Sequence, residues 1–130
     1  MKLGYTILYV ASVANTVAFY ERAFGLERGM VTEENEYGEL RTGDTTLAFA
    51  ANAFAEGLTD VPHEAAAPDK APPPVELGFT TDAVEEMFER AVSAGAVVVK
   101  RPELKPWGQL VAYVRDNNGF LVEICTPMTT

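Results

Sequence analysis

Hydrophobic and polar positions along the chain follow the period of a strand, then that of a helix, then that of three further strands. Tyr5–Val10 is typical of an extended strand. The apolar positions after it recur at spacings of four and three residues, which predicts one buried face of a helix: Val13, Val17, Tyr20 and Phe24. Ser12 is a favourable N-cap, and Gly25 is a favourable residue after the last turn. Three strand-like stretches follow, at residues 26–33, 36–42 and 44–51.

The second half of the chain repeats this order. Residues 75–80 predict a strand, and Asp82 and Glu85 have the spacing of a capping box. An apolar stripe at helical period follows and ends at Gly95; its members are Val84, Met87, Phe88, Ala91 and Val92. Strand-like stretches at 96–100, 107–115 and 120–126 complete the pattern, and residues 116–119 predict a tight turn between the last two.

These two halves predict a duplicated architecture. Glu21-Arg22-Ala23 in the first half matches Glu89-Arg90-Ala91 in the second. The segment between them is rich in proline and alanine, as expected of a linker or a long loop. We therefore expect one α+β domain over 1–130, made of two tandem βαβββ modules at 1–52 and 75–130 joined by a loop at 53–74.

Composition restricts the class of protein. With 130 residues, of which 48% are hydrophobic and 22% charged, the chain has the make-up of one globular domain. No apolar run is long enough to span a bilayer, and the first residues lack the layout of a signal peptide. Cys125 is the single cysteine, so no internal disulfide can form. We therefore expect a cytoplasmic protein.

The charge balance is acidic, with 10 Lys and Arg against 19 Asp and Glu and a net charge of -9. Nucleic acids and anionic membranes are bound mainly through Lys and Arg, so we expect neither as a partner. An acidic surface is compatible with cationic ligands, although solubility is its more common reason.

Two segments give the chain a resemblance to a known family. Residues 8–26, with Leu8-Tyr9-Val10 leading to Phe19-Tyr20-Glu21-Arg22-Ala23-Phe24-Gly25, and the closing segment 114–123 resemble the vicinal-oxygen-chelate superfamily. This superfamily includes glyoxalase I, bleomycin-resistance proteins, fosfomycin-resistance proteins and extradiol dioxygenases. The resemblance implies that each module forms half of a barrel, that the pair makes a cup with helices on its outer face, and that the protein is a homodimer.

Strand parity predicts which side chains face the cup. Glu123 lies between Val122 and Ile124, and a carboxylate on the buried face would be costly, so Glu123 is expected to face the cup. Glu76 takes the same face of its own strand. Tyr113 lies opposite Glu123 if the turn has three residues and faces the helices if it has two; the family pattern favours the first. Trp107 shares the parity of Tyr113 and reads as a rim residue.

The resemblance also implies where a metal would be bound. In metal-dependent members, four strand positions carry His, Glu or Gln, His and Glu; the corresponding residues here are Tyr5, Phe49, Glu76 and Glu123. Phe49 cannot coordinate a metal, Tyr5 is a poor ligand, and His63, the only histidine, lies in the proline-rich loop and reads as a surface residue. We therefore expect no metal and no other cofactor, although weak binding of a hard cation by the two carboxylates stays open.

The resulting hypothesis is a metal-independent small-molecule binding protein of the bleomycin-resistance type, which sequesters a planar or cationic ligand in an aromatic and acidic cup. The predicted ligand-binding residues are Tyr5, Phe49, Glu76, Trp107, Tyr113 and Glu123. The alternative is a glyoxalase-like lyase, isomerase or epimerase that uses Glu123 and Glu76 as acid and base. A dioxygenase-like relic is a third reading, and a purely structural role for the two carboxylates also stays open.

Overall fold

Two βαβββ modules are present in the computed structural model, which describes residues 1–128. The elements follow in the order β1 (Tyr5–Val10), α1 (Val13–Phe24), β2 (Glu27–Val31), β3 (Tyr37–Arg41), β4 (Thr46–Ala51), α2 (Asn52–Thr59), β5 (Glu76–Thr80), α3 (Val84–Ser93), β6 (Val97–Leu104), β7 (Leu110–Arg115) and β8 (Leu121–Cys125). One compact unit is Met1–Ala66, and the other begins at Ala67. The first holds a four-stranded mixed sheet in the order β1-β4-β3-β2 and the second holds one in the order β5-β8-β7-β6. The α+β class and the tandem modules predicted from the sequence are confirmed.

Helix α1 has the termini that the sequence predicts. The Ser12 hydroxyl accepts a hydrogen bond from the Asn15 amide at 3.2 Å, and Gly25 adopts a left-handed conformation with φ of 66°. Helix and sheet approach closely here, because a Cβ at Gly38 of β3 would lie 2.9 Å from the Cγ1 atom of Val13. The side of the first sheet that carries Gly38 is therefore the side covered by α1.

Helix α3 begins differently from the prediction. Its N-cap is Ala83, without a side-chain hydrogen bond, so the predicted capping box of Asp82 and Glu85 is wrong. The Thr81 hydroxyl instead accepts from the Ala83 amide at 3.1 Å. The C-terminus agrees with the prediction, because Gly95 has φ of 110° and its amide donates to the Val92 carbonyl at 3.0 Å.

The predicted linker contains a helix that the sequence analysis missed. Helix α2 directly follows β4 and ends at Thr59, and its C-cap residue Asp60 adopts a left-handed φ of 58°. Only Ala55 among its residues is buried, although Phe54, Ala55 and Leu58 have the spacing of one helical face. The prolines that indicated a loop begin after it.

The hairpin between β7 and β8 settles the orientation of Tyr113. The Asp116 amide donates to the Phe120 carbonyl at 2.9 Å, which leaves a loop of three residues, and the Asp116 carboxylate accepts from the Asn118 amide at 2.8 Å. Gly119 takes the positive φ of 91° that this loop needs. Tyr113 consequently pairs with Glu123, as the family pattern favoured.

Each unit has its own buried side chains. In the first, Tyr20 of α1 and Phe49 of β4 are fully buried, and in the second Phe88 of α3 and Ile124 of β8 are buried to a similar degree. Within residues 1–128, no helix is long and apolar enough to cross a membrane.

Candidate functional site

The pairing of β5, β8 and β7 places four polar side chains on one face of the second sheet: Glu76, Tyr113, Glu123 and Cys125. Glu123 of β8 lies between Gly78 of β5 and Tyr113 of β7. Because side chains alternate along a strand, Glu76 and Cys125 lie on the same face, opposite the buried Val122 and Ile124. We call this the open face; its residues are Glu76, Gly78, Tyr113, Glu123 and Cys125. Glu76, Tyr113 and Glu123 share one strand face, as the parity argument required; that this face lines a cup, and the roles of the three residues, remain predictions.

Glu123 is the hydrogen-bond acceptor at the centre of the open face. The Tyr113 hydroxyl donates to its Oε1 atom at 2.9 Å. Burial, the hydrogen bond to Glu123 and the negative charge of that carboxylate together raise the pKa of Tyr113 to about 12. Burial first, and then a hydrogen bond to the same carboxylate, raise the pKa of Cys125 to about 11. Both groups therefore stay protonated near neutral pH, and the Tyr113 hydroxyl serves as a donor to Glu123.

Glu76 is the less constrained of the two carboxylates. Within the described part of the chain it makes no hydrogen bond or ion pair, and its side chain is exposed at the edge of the sheet. Partial burial of the carboxyl, followed by repulsion from Glu123, raises the pKa of Glu76 above its usual 4.5. Glu76 is therefore the open-face carboxylate for which burial and a second acid both favour the protonated form.

Gly78 leaves open space beside Glu123, two residues along the strand from Glu76. Gly78 of β5 pairs with Glu123 of β8, and a Cβ atom added at Gly78 would have no other atom within 4 Å. A glycine inside a strand weakens the strand and often marks a position that a ligand approaches closely. The open face therefore has two acidic groups with unfilled space beside them.

The structure contradicts the orientation predicted for Phe49. Phe49 pairs with Gly38, on the side that α1 covers, and its ring lies 5.1 Å from that of Tyr20. Ala48 takes the place that Glu123 has in the second sheet, because Ala48 lies between Ile7 and Glu39 as Glu123 lies between Gly78 and Tyr113. The prediction was one residue out of register, since the continuous apolar run 47–51 has no alternation to mark its faces.

The other face of the first sheet carries a second phenol–carboxylate pair. The Tyr37 hydroxyl donates to the Glu39 Oε2 atom at 2.7 Å. Burial and this hydrogen bond hold the pKa of Tyr37 far above its ordinary value, and proximity of Tyr5 adds to the effect. Tyr5 itself is 57% exposed, on the predicted face. Sequence reasoning missed this pair, although the spacing of two residues in a predicted strand already placed Tyr37 and Glu39 on one face.

His63 is not the surface loop residue that the sequence suggested. Its ring lies 4.8 Å from that of Tyr9, and its Nε2 atom lies 2.9 Å from the Asn52 Oδ1 atom. The Nδ1 atom is buried and has no hydrogen-bond partner among the described residues. The neighbours of His63 are an aromatic ring and an amide, not a set of metal ligands.

The ligand set of metal-dependent relatives is not reproduced. Two of the four ligand positions, Glu76 and Glu123, have carboxylates, and a third, Tyr5, has a phenol. The remaining position, which was assigned to Phe49 from the sequence, is occupied by Ala48. Across residues 1–128, no three His, Cys, Asp or Glu side chains are grouped so that they could hold a metal ion. These residues do not fit a catalytic divalent metal, which needs about three such ligands.

Trp107 lies outside the open face. β7 begins at Leu110, and Trp107 belongs to the turn closed by the hydrogen bond from the Gly108 amide to the Lys105 carbonyl at 2.9 Å. The prediction that Trp107 shares the strand parity of Tyr113 is therefore wrong, because the turn interrupts the alternation. Trp107 instead lines a separate cleft of about 300 Å³ with Asp82 and Met128.

Comparison with known proteins identifies the family. The family model for the Glyoxalase/Bleomycin resistance protein/Dioxygenase superfamily matches residues 2–124, and the chain belongs to this superfamily. A search of curated proteins found no match.

Solved structures share the fold at low sequence identity. A glyoxalase-related enzyme from Fulvimarina pelagi is 21% identical, with a TM-score of 0.85 over 98% of this chain and 88% of that chain. A glyoxalase/bleomycin resistance protein/dioxygenase family enzyme from Burkholderia phytofirmans PsJN is 21% identical, with a TM-score of 0.77 over 97% and 98%. A lactoylglutathione lyase from Agrobacterium tumefaciens is 22% identical, with a TM-score of 0.73 over 98% and 94%. At these identities the likeness establishes the fold, not the reaction.

Proposed function

We propose that this protein is a metal-independent small-molecule binding protein of the bleomycin-resistance type, and that its open face receives a cationic group of the ligand. The observation that carries the proposal is the pair of carboxylates, Glu76 and Glu123, beside the unfilled space at Gly78. Neither carboxylate has a basic partner within the described residues. A ligand cation would supply the missing counter-charge.

The hydrogen bond from Tyr113 supports this role. It engages the Oε1 atom of Glu123, and an ionised carboxylate has acceptor capacity for further hydrogen bonds to a ligand. The repulsion that raises the pKa of Glu76 is relieved when a cation binds between the two acids. Binding and deprotonation of Glu76 are then linked, and affinity falls as Glu76 becomes protonated.

The tyrosines of the first sheet favour a planar ligand in that unit, considered by itself. Tyr5 is exposed on its strand, and the Tyr37 ring is held by Glu39. Phenol rings fixed by hydrogen bonds stack on planar groups at little cost in conformational entropy. We therefore propose a planar group as the ligand feature for the first unit and a cationic group for the open face of the second.

The test is a thermal-shift screen of cationic antibiotics, bleomycin among them, with and without EDTA. We expect a compound that raises the melting temperature equally under both conditions and that loses this effect with Gly78→Val. This variant fills the space beside Glu123 and favours the strand conformation, so the fold is retained. If every stabilising compound acts equally on wild type and Gly78→Val, the site is elsewhere.

A second candidate function rests on the raised pKa of Glu76. A carboxylate with this property and no hydrogen-bond partner is suited to take a proton from carbon, as in a glyoxalase-like lyase, isomerase or epimerase. Incubation with a methylglyoxal–thiol adduct separates the two functions. Chemical conversion that Glu76→Gln abolishes, with binding retained, would favour the enzyme, since a glutamine cannot accept the proton.

The homodimer implied by the family resemblance belongs to the same proposal. Light scattering at micromolar concentration is expected to give about twice the chain mass of 14.1 kDa. A value equal to the chain mass would remove this part of the proposal.

A further inference from the structure

The exposed indole of Trp107 is held in place by a chain of hydrogen bonds. Its Nε1 atom donates to the Gln109 Oε1 atom at 2.7 Å, and the Gln109 amide nitrogen donates to the Thr126 carbonyl at 2.7 Å. The Thr126 hydroxyl in turn accepts from the Leu110 amide at 3.1 Å. Trp107 is nevertheless 61% exposed. An aromatic ring whose single donor is satisfied, and which is fixed while facing solvent, offers a preorganised π face.

An acid and a thioether share the cleft with this indole. The cleft of about 300 Å³ is lined by Asp82, Trp107, Met128 and the backbone around Gly108 and Thr126. Asp82 is exposed and has no ion-pair partner in the described part of the chain. Met128, 62% exposed, adds a polarisable sulfur to the wall. No open-face residue lines this cleft.

The charges around the cleft favour a cation. Glu85 and Glu86 occupy the first turn of α3, which begins two residues after Asp82. Lys105, the basic residue in the turn that carries Trp107, already pairs with Glu103 at 3.7 Å. A cation in the cleft would therefore meet the unpaired carboxylate of Asp82 and the aromatic face of Trp107.

We propose that the cleft formed by Asp82, Trp107 and Met128 is a second binding site, specific for an organic cation with a methylated ammonium group. A hard metal ion is disfavoured because the lining offers one carboxylate, whereas such ions require several oxygen ligands. A quaternary ammonium group is weakly hydrated, binds the face of an indole by cation–π attraction and gains from one nearby negative charge. This site is independent of the open face, so either proposal can fail without the other.

Intrinsic fluorescence tests the site directly, because Trp107 is the only tryptophan in the chain. The probes are choline and its uncharged isostere 3,3-dimethylbutan-1-ol, titrated at constant ionic strength with sodium chloride as the salt control. We expect choline to change the emission saturably, and the alcohol to cause less than a fifth of that change. The comparison isolates charge, since the two molecules have nearly the same shape.

Two variants test whether the change in Trp107 emission arises from choline bound in this cleft. Asp82→Asn removes the carboxylate charge at the cleft and is expected to weaken choline binding about fivefold or more, in line with a cation–π site assisted by one charge. Glu89→Gln removes the same charge from an exposed position of α3 and is expected to leave the affinity within twofold. Circular dichroism confirms that both variants are folded. An equal response to choline and the alcohol, or unchanged affinity in Asp82→Asn, would overturn the proposal.

Discussion

The hydroxyl of Tyr113 and the carboxylate of Glu123 are joined by a hydrogen bond of 2.9 Å between neighbouring strands. The three-residue loop at 117–119 creates this relationship, because a loop shorter by one residue would turn Tyr113 towards α3. The length of this loop therefore determines whether Tyr113 can donate to Glu123, the carboxylate that we propose binds the ligand.

Tyr113→Phe removes the phenolic donor while keeping the ring. We expect the free energy of unfolding to fall by about 0.5–1.5 kcal/mol, the usual net contribution of one hydrogen bond. Urea denaturation monitored by circular dichroism measures the change. Tyr9→Phe is the matched control, since the Tyr9 hydroxyl makes no hydrogen bond within residues 1–128, and it should leave stability nearly unchanged. Equal losses in both variants would show that the bond to Glu123 contributes nothing.

Glu76→Gln tests the electrostatic strain on the open face. The pKa of Glu76 is raised above 4.5 in the folded state, so the folded protein binds the proton more tightly than the unfolded chain. The resulting loss of stability is absent at pH values below the pKa of Glu76 in the unfolded chain. It increases as the pH rises through the pKa of Glu76 in the folded protein. Glu76→Gln should therefore be more stable than wild type at pH 7, and this difference should shrink as the pH falls towards 4.5. Urea denaturation at both pH values checks the sign; a variant less stable than wild type at pH 7 would contradict it.

Phe49→Ala and Tyr5→Ala test the corrected register of the first sheet. Phe49 is fully buried against Tyr20, so its truncation should cost about 3–5 kcal/mol of unfolding free energy. Tyr5 is 57% exposed on the opposite face, and its truncation should cost less than about 1 kcal/mol. Comparable effects of the two substitutions would mean that both rings share one environment.

The fold was predictable because its signals are local. Ser12, Gly25 and Gly95 mark helix ends, and the turn after Arg115 fixes the register of the last hairpin. Helix α2 was missed because the prolines from Pro62 onwards led to the whole segment 53–74 being read as a loop, although Phe54, Ala55 and Leu58 follow a helical period.

The candidate site was predictable only where a charge marked the face of a strand. Glu123 between Val122 and Ile124 leaves one reasonable orientation. Around Phe49, by contrast, every neighbour is apolar, so only the pairing with Gly38 determines the face. Trp107 and His63 depended on how loops fold back on their units, which residue periodicity does not encode.

The central claim is that Glu123 binds a ligand cation without a metal. Its most direct test is calorimetric titration, in EDTA, of a cationic compound from the thermal-shift screen into wild type, Glu123→Gln and Glu89→Gln. We predict that EDTA leaves binding intact, that Glu123→Gln weakens it about tenfold or more, equivalent to about 1.4 kcal/mol, and that Glu89→Gln leaves it unchanged. Binding that EDTA abolishes, or an affinity for Glu123→Gln equal to that of wild type, would contradict the claim.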